Sequence, residues 1–234
     1  MIQRRLSLVA LVAVVCSAVF GTPRASAEWL ADIYVGLGAT ETNDVRLSTP
    51  GTKLRYQDLD FDRSITYGGR FGKYFDTAPW VGLAVDALNF TPDVSAQSAI
   101  QTIGAPTRTV LPPMNIGVLA LSVDLMLRVP LFATQEIPGG RLQPYVLGGP
   151  GIFFVTAEDH GNFIRRHQSD VEIVGGYTAG GGVTWQFSRA LGLFSEYRYS
   201  HVNPEFEFQN LGTRTTYETD IDTHHVLLGL SFKF

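Results

Sequence analysis

Cysteine is nearly absent from this chain of 234 residues, since Cys16 is the only one. It lies in an apolar run at 6–20, which follows two arginines and precedes Ala-Ser-Ala at 25–27, the small residues that a signal peptidase reads. We therefore expect residues 1–27 to be a cleaved secretory signal peptide and residues 28–234 to be the mature domain. That domain would lack cysteine, which excludes disulfides and thiol chemistry.

Long apolar runs are missing as well. The run at 6–20 is shorter than the about 20 residues that a membrane-spanning helix needs, and no later segment is apolar for longer. A membrane role is therefore open only to a closed β-barrel, the other structure that satisfies every backbone hydrogen bond in lipid.

An excess of positive charge is absent too. The formal net charge is −4, and without the three arginines of residues 1–27 it becomes −7. This acidity argues against nucleic acid as a partner. The 207 residues left when 27 are removed from 234 suit one all-β domain.

What the sequence does contain is apolar alternation with a period of two, the pattern of a strand with two different faces. In VLLGLSFKF, residues 226–234, one face is wholly apolar and the other is small or polar apart from Leu227. Eight such strands are predicted: 29–40, 62–75, 79–90, 115–129, 141–157, 172–187, 190–206 and 221–234.

The connections between these strands alternate between long and short. The long ones are 41–61, 91–114, 158–171 and 207–220, and the short ones are 76–78, 130–140 and 188–189. This asymmetry is typical of outer-membrane barrels, with tight periplasmic turns and longer external loops. It predicts an all-β fold, an eight-stranded antiparallel up-and-down transmembrane β-barrel with both termini in the periplasm.

A soluble lipocalin-type barrel has the same strand number, with its apolar faces turned inward. Aromatic residues near the strand ends favour the membrane barrel, because they suit two interfacial girdles. These residues are Trp29, Phe75, Trp80, Tyr145, Trp185, Phe187, Phe232 and Phe234.

The faces expected to point inward carry glycines and eight charged residues. A barrel of eight strands has an interior about wide enough for its own side chains, and paired charges can fill it as a polar core. We interpret the charges as a plug, with a narrow channel as the alternative. The expected lumen network is Asp32, Arg70, Asp86, Asp124, Arg128, Glu196, Arg198 and Lys233.

Two stretches carry a resemblance to a known family. The terminal LSFKF looks like the signal by which the outer-membrane assembly machinery recognises its substrates, with Leu230, Phe232 and Phe234 as the alternating residues. The segment 175–201, GGYTAGGGVTWQFSRALGLFSEYRYSH, is similar to the penultimate hairpin of small barrels of the OmpA, OmpX and opacity-protein type.

The resemblance implies transit through the periplasm and insertion into the bacterial outer membrane. It implies as partners the periplasmic chaperones, the barrel-assembly machinery, outer-membrane lipids and lipopolysaccharide. We expect a monomer without a cofactor or metal, serving envelope structure or surface interaction. The loop 91–114 is expected to be mobile and polar; the alternative is that it folds over the barrel mouth or contacts a partner.

A lipid A-modifying enzyme is the remaining alternative, because lipid A deacylases are also small barrels with a serine, a histidine and an acid on the outer wall. Here Ser200 and His201 are neighbours, so they point to opposite faces and do not suit a nucleophile and its base. The same applies to His224 and His225 as metal ligands. Catalysis is therefore not expected.

Overall fold

A computed structural model describes residues 28–41, 43–49, 52–59, 63–92, 97–103, 105–111, 114–134, 136–159, 169–210, 213–218 and 220–234. The expected signal segment at 1–27, His160 and His167 lie outside these residues. Within the described ranges, no helix is long and apolar enough to cross a membrane.

The described chain forms fourteen strands. They are β1 (Trp29–Thr40), β2 (Asn43–Thr49), β3 (Thr52–Leu59), β4 (Ser64–Tyr74), β5 (Val81–Phe90), β6 (Gln97–Ile103), β7 (Ala105–Leu111), β8 (Met114–Arg128), β9 (Leu142–Asp159), β10 (Ser169–Gln186), β11 (Leu191–Val202), β12 (Glu205–Asn210), β13 (Thr213–Glu218) and β14 (Ile221–Lys233).

Eight of these strands close into an antiparallel barrel in the order β1-β14-β11-β10-β9-β8-β5-β4. The predicted fold class is confirmed, and each predicted strand corresponds to one barrel strand. The segment predicted as 190–206 instead ends at Val202. Pro204 lies just beyond this end, and a proline cannot donate a hydrogen bond to a strand ladder.

The barrel closes where β1 pairs with β14, a contact between the two ends of the described chain. Leu30 lies opposite Lys233 and Thr40 opposite Thr223, without a break in register. Two backbone hydrogen bonds between Trp29 and Phe234 extend this ladder, with N···O distances of 3.0 and 3.1 Å. Closure therefore leaves neither β1 nor β14 as a free sheet edge.

Side chains alternate between a buried lumen and an exposed apolar wall. On β8, Leu121, Val123 and Leu125 are exposed, whereas Ser122 and Asp124 between them are buried. The other barrel strands show the same alternation. The apolar faces of the strands therefore point outward, whereas in a soluble barrel they point into the cavity.

Glycines on the inner face make room for aromatic rings from neighbouring strands. A Cβ at Gly68 would lie 2.5 Å from the Tyr34 hydroxyl oxygen, and one at Gly182 would lie 2.8 Å from that of Tyr145. A Cβ at Gly229 would lie 2.5 Å from the ring of Phe194. Aromatic rings thus fill the narrow lumen by packing directly against the backbone of glycine residues.

The other six strands form a second sheet, in the order β12-β13-β2-β3-β6-β7. These strands continue β11, β14, β1, β4, β5 and β8 along the chain and keep their order, so the second sheet extends the barrel wall. The assignment of 41–61, 91–114 and 207–220 as loops is wrong for these strands, whose backbones are paired.

The aromatic residues correct another expectation. Tyr145 is buried in the lumen rather than placed in a girdle. The other seven aromatic residues named for two girdles all lie at the end of the barrel with the short turns. At the opposite end the outer wall carries tyrosines instead, among them Tyr177, Tyr197 and Tyr199.

The loop lengths predict which end of the barrel faces outward, and cysteine labelling tests this. Thr77 lies in a short turn and Thr91 at the end with the hairpins, and both are exposed. In intact cells, a membrane-impermeant maleimide is expected to label Thr91→Cys and to spare Thr77→Cys until the outer membrane is permeabilised. Labelling of Thr77→Cys alone would reverse the orientation.

Candidate functional site: the filled lumen

Two arginines and three carboxylates meet at the centre of the lumen. Arg70 contacts Glu196 at 2.6 Å, Asp86 at 3.1 Å and Asp32 at 3.6 Å. Arg198 contacts the same Asp86 at 2.9 Å and the same Glu196 at 2.5 Å. These five side chains, which we call the central cluster, come from β1, β4, β5 and β11 and span the interior.

Buried tyrosines add hydrogen bonds to the central cluster. The Tyr34 hydroxyl donates to Asp86 at 2.6 Å, and the Tyr145 hydroxyl donates to Glu196 at 2.6 Å. The guanidinium of Arg198 lies 5.0 Å from the centre of the Tyr34 ring. Buried charges are stable only when paired and hydrogen-bonded, and the tyrosines supply bonds that water would otherwise make.

Asp124 is held differently from the other expected lumen carboxylates. It accepts hydrogen bonds from the hydroxyls of Thr178, at 2.9 Å, and Ser122, at 3.1 Å. The eight charged residues expected in the lumen therefore do not form one network of four acids and four bases, because Asp124 is hydrogen-bonded to hydroxyl groups.

A second charged group closes the lumen at the end with the short turns. Glu28 binds both Arg128 and Lys233, the latter at 2.8 Å. Gln143 accepts from Lys233 at 2.6 Å, and the Arg128 guanidinium lies 3.7 Å from the centre of the Tyr74 ring. We call Glu28, Arg128, Lys233 and Gln143 the periplasmic cluster, after the orientation that the loop lengths predict. Sequence reasoning missed Glu28, because it stands just before the first strand and shows no alternation.

Beyond the central cluster, towards the hairpin end, the lumen becomes apolar. Phe90, Val118, Phe153, Val155 and Ile221 are each fully buried there. They belong to one connected hydrophobic core. The lumen therefore has a charged middle and, towards the hairpin end, a largely apolar layer in which the ring centre of buried His225 lies 4.8 Å from that of Phe90.

The serine and histidines weighed for catalysis lie on two sides of the wall. Ser200 is buried in the lumen, where it is 3.0 Å from His225 Nε2, and the other ring nitrogen of His225 is 2.9 Å from Thr66 Oγ1. His201 and His224 are on the outer wall. Ser200 and His201 are therefore not brought together, nor are His224 and His225.

Replacing Glu28 tests the periplasmic cluster. Burial alone would raise the pKa of Glu28, but Arg128 and Lys233 outweigh it and hold this pKa below its ordinary value. Glu28→Gln is expected to lower the free energy of unfolding by about 1 to 3 kcal/mol at neutral pH. A carboxyl group whose pKa is lower in the folded state than in the unfolded chain stabilises the folded state fully at pH values above the unfolded pKa. This stabilisation is lost as the pH falls through the folded-state pKa.

The difference between Glu28→Gln and the parent chain is therefore expected to shrink below a pH of about 4. Urea unfolding in lipid vesicles at several pH values measures it. Glu136→Gln, in an exposed turn, is the control and should change little. A difference that persists unchanged in acid would show that Glu28 acts through packing instead of charge.

A closed barrel with an apolar wall and a filled lumen defines the class of small transmembrane β-barrels. The chain belongs to the outer membrane protein β-barrel domain family, whose model matches residues 11–234. Proteins of this family lie in the bacterial outer membrane, so the predicted localisation is confirmed. No curated protein matches the chain.

Solved structures show the same fold at low sequence identity. The chain is similar to the outer membrane protein OprG from Pseudomonas aeruginosa, with a TM-score of 0.61 and 12% identity over 90% of this chain and 97% of that one. It is similar to Neisserial surface protein A (TM-score 0.51, 11% identity, 88% and 97% covered). The outer membrane protease OmpT from Escherichia coli is also similar (TM-score 0.51, 9% identity, 92% and 100% covered).

Proposed function

We propose that this protein is a closed, non-conducting outer-membrane barrel that serves envelope structure or presents its hairpin sheet for surface interaction. The observation that carries the proposal is the central cluster, which fills the interior with ion pairs between four strands. The apolar layer on one side of the central cluster and the periplasmic cluster on the other also support a closed lumen. Their side chains fill the space that a hydrated ion would need.

Conductance in planar lipid bilayers tests the closed lumen against the narrow-channel alternative. The refolded chain is expected to give no steady current under conditions in which a porin inserted from the same detergent conducts. Large, stable open channels from the unaltered chain would contradict the proposal.

A deletion of the β6–β7 hairpin, residues 97–111, separates the two roles. If the barrel is structural, a strain that lacks the protein should become sensitive to detergents, and the shortened chain should restore its resistance. If the hairpin sheet is the working part, the shortened chain should reach the outer membrane without restoring the phenotype.

Catalysis is not part of the proposal. Ser200 and His201 lie on opposite sides of the wall, and the likeness to OmpT, at 9% identity, concerns the fold. Hydrolysis of labelled lipopolysaccharide by the refolded chain would overturn this exclusion.

We also propose that Leu230, Phe232 and Phe234 are read by the assembly machinery. Deleting Phe234 removes one backbone pair with Trp29 and one ring 6.4 Å from Phe71, so the finished barrel should lose little stability. We expect the shortened chain to be depleted from the outer membrane of cells, yet to refold in detergent with heat-modifiable gel mobility. Normal outer-membrane levels would remove the targeting role.

A further inference from the structure

The outer wall of the barrel carries a polar, aromatic patch at its hairpin end. It consists of seven residues on β10, β11 and β14 and just after β1, which are neighbours in the barrel order. We call it the wall patch: Glu41, Tyr177, Tyr197, Tyr199, His201, Asp222 and His224. None of the lumen clusters includes these residues.

Hydrogen bonds join the wall patch into two connected groups. His201 Nδ1 lies 2.6 Å from Asp222 Oδ1, which also accepts from the Tyr199 hydroxyl. His224 connects two residues, because its Nδ1 is 2.5 Å from the Tyr197 hydroxyl oxygen and its Nε2 is 2.7 Å from Glu41 Oε1. The polar atoms are thus held in place before anything binds.

The rings of the wall patch pack beside one another. The Tyr177 ring centre is 5.2 Å from that of His201 and 6.0 Å from that of Tyr199, which in turn is 5.3 Å from His224. Tyr177 is 47% exposed and Tyr197 is 50% exposed. Two tyrosine rings therefore remain available to a molecule that approaches the wall from outside.

The position of the wall patch limits what can approach it. Lower on the same wall, Val183, Val226 and Leu228 are exposed and apolar, as the acyl region of a membrane requires. On β11 and β14 the patch begins where these apolar residues end, whereas on β10 exposed Val171 and Ile173 continue the apolar face beyond Tyr177. A border between apolar and polar side chains on β11 and β14 suits the level of lipid headgroups. The patch is also local, because the outer positions of β8 and β9 towards the same end include exposed Leu119 and Ile152.

The chemistry of the wall patch favours a sugar over a phosphate. None of its seven residues, all within the described part of the chain, is a lysine or arginine, and recognition of phosphate headgroups relies on these residues. Carboxylates, imidazoles and tyrosine hydroxyls instead match the donors and acceptors of sugar hydroxyls. Tyrosine rings suit the apolar C–H face of a sugar at a membrane interface, with an apolar body and a polar tip.

We propose that the wall patch binds the sugar headgroup of a glycolipid in the adjoining membrane leaflet. The exposed rings of Tyr177 and Tyr197 stack on the sugar, and the carboxylates of Asp222 and Glu41 accept hydrogen bonds from its hydroxyls. Because the patch faces away from the lumen, this binding is independent of whether the barrel conducts.

Native mass spectrometry of the full chain, refolded in a detergent without sugar such as lauryldimethylamine oxide, tests the proposal. The probes are diglucosyl diacylglycerol, which has sugar and no phosphate, and phosphatidylglycerol, which has phosphate and no hexose. The unaltered chain is expected to retain the glycolipid in preference to phosphatidylglycerol. Equal retention of both lipids, or retention of phosphatidylglycerol alone, would overturn the proposal.

Substitutions place the binding on the wall. The double variant Tyr177→Leu, Tyr197→Leu is expected to bind the glycolipid about tenfold more weakly, the loss expected from two aromatic contacts. Tyr67→Leu, at a tyrosine that is 49% exposed on β4, is the matched control and should bind normally. Equal affinity of the double variant and the control would contradict the assignment.

Folding of each variant is followed by its heat-modifiable gel mobility. If the leucine variant does not fold, Tyr177→Phe with Tyr197→Phe keeps both rings and removes both hydroxyls. It is expected to weaken binding about threefold, as the loss of weak hydrogen bonds would. Unchanged binding by this variant, when the leucine variant does not fold, would also count against the site.

Discussion

Replacing Arg70 with methionine is expected to lower the free energy of unfolding by about 3 to 5 kcal/mol, the usual result of breaking a buried ion pair from one side. Arg70 is 3% exposed and contacts three carboxylates of the central cluster. Without it, Glu196 keeps Arg198 as a partner but Asp32 loses its described ion pair. The excess of buried negative charge causes the loss. Reversible urea unfolding in phospholipid vesicles measures it.

Two further variants identify the cause. Arg141→Met, in an exposed turn, should change stability by less than about 0.5 kcal/mol. Adding Glu196→Gln to Arg70→Met removes part of the excess of buried negative charge, so the double variant should be more stable than the sum of the two single losses predicts. Strictly additive losses would mean that the two residues do not interact in the folded barrel.

Replacing Leu121 with arginine is expected to cost about 2 to 4 kcal/mol, the penalty for a cation on the lipid face near the bilayer midplane. Leu121 lies in the middle of the exposed apolar face of β8, beside Ile152 on β9 and Ala87 on β5. Val123→Arg should behave alike. Unfolding in vesicles of defined lipid is the measurement, because detergent micelles adapt to a charge more easily than a bilayer does.

The matched control is Thr77→Arg, which adds the same side chain in an exposed turn and should be tolerated. Ser122→Arg, one position along β8, places the arginine in the lumen and should lack the transfer penalty, although it crowds the interior. Equal losses at Leu121 and Thr77 would argue against a lipid-facing wall.

The barrel strands could be predicted because alternation is a local property. Successive side chains on a strand point to opposite faces, so Leu121 and Ser122 could be assigned to opposite faces from their spacing alone. The same rule separated Ser200 from His201. The position of Tyr145 near a strand end predicts a girdle site, whereas its side chain is buried in the lumen.

The partners inside the lumen could not be predicted in this way. Arg70 and Glu196 are 126 positions apart, and they meet because β4 and β11 face one another across a closed barrel. Glu28 reaches Arg128 and Lys233 only when the first and last strands pair. The wall patch likewise depends on register, since His201 lies opposite Asp222 and Tyr199 opposite His224 on adjacent strands.

By itself, the sequence determined the number of barrel strands, the two faces of each barrel strand, the charges on one of these faces and the alternation of long and short connections between barrel strands. All of these follow from neighbours along the chain. Only the tertiary structure decided which charges pair, that the hairpins continue the barrel as a second sheet, and that one sector of the wall carries tyrosines and histidines. These features arise from barrel closure and strand register, which bring together residues that no local pattern connects.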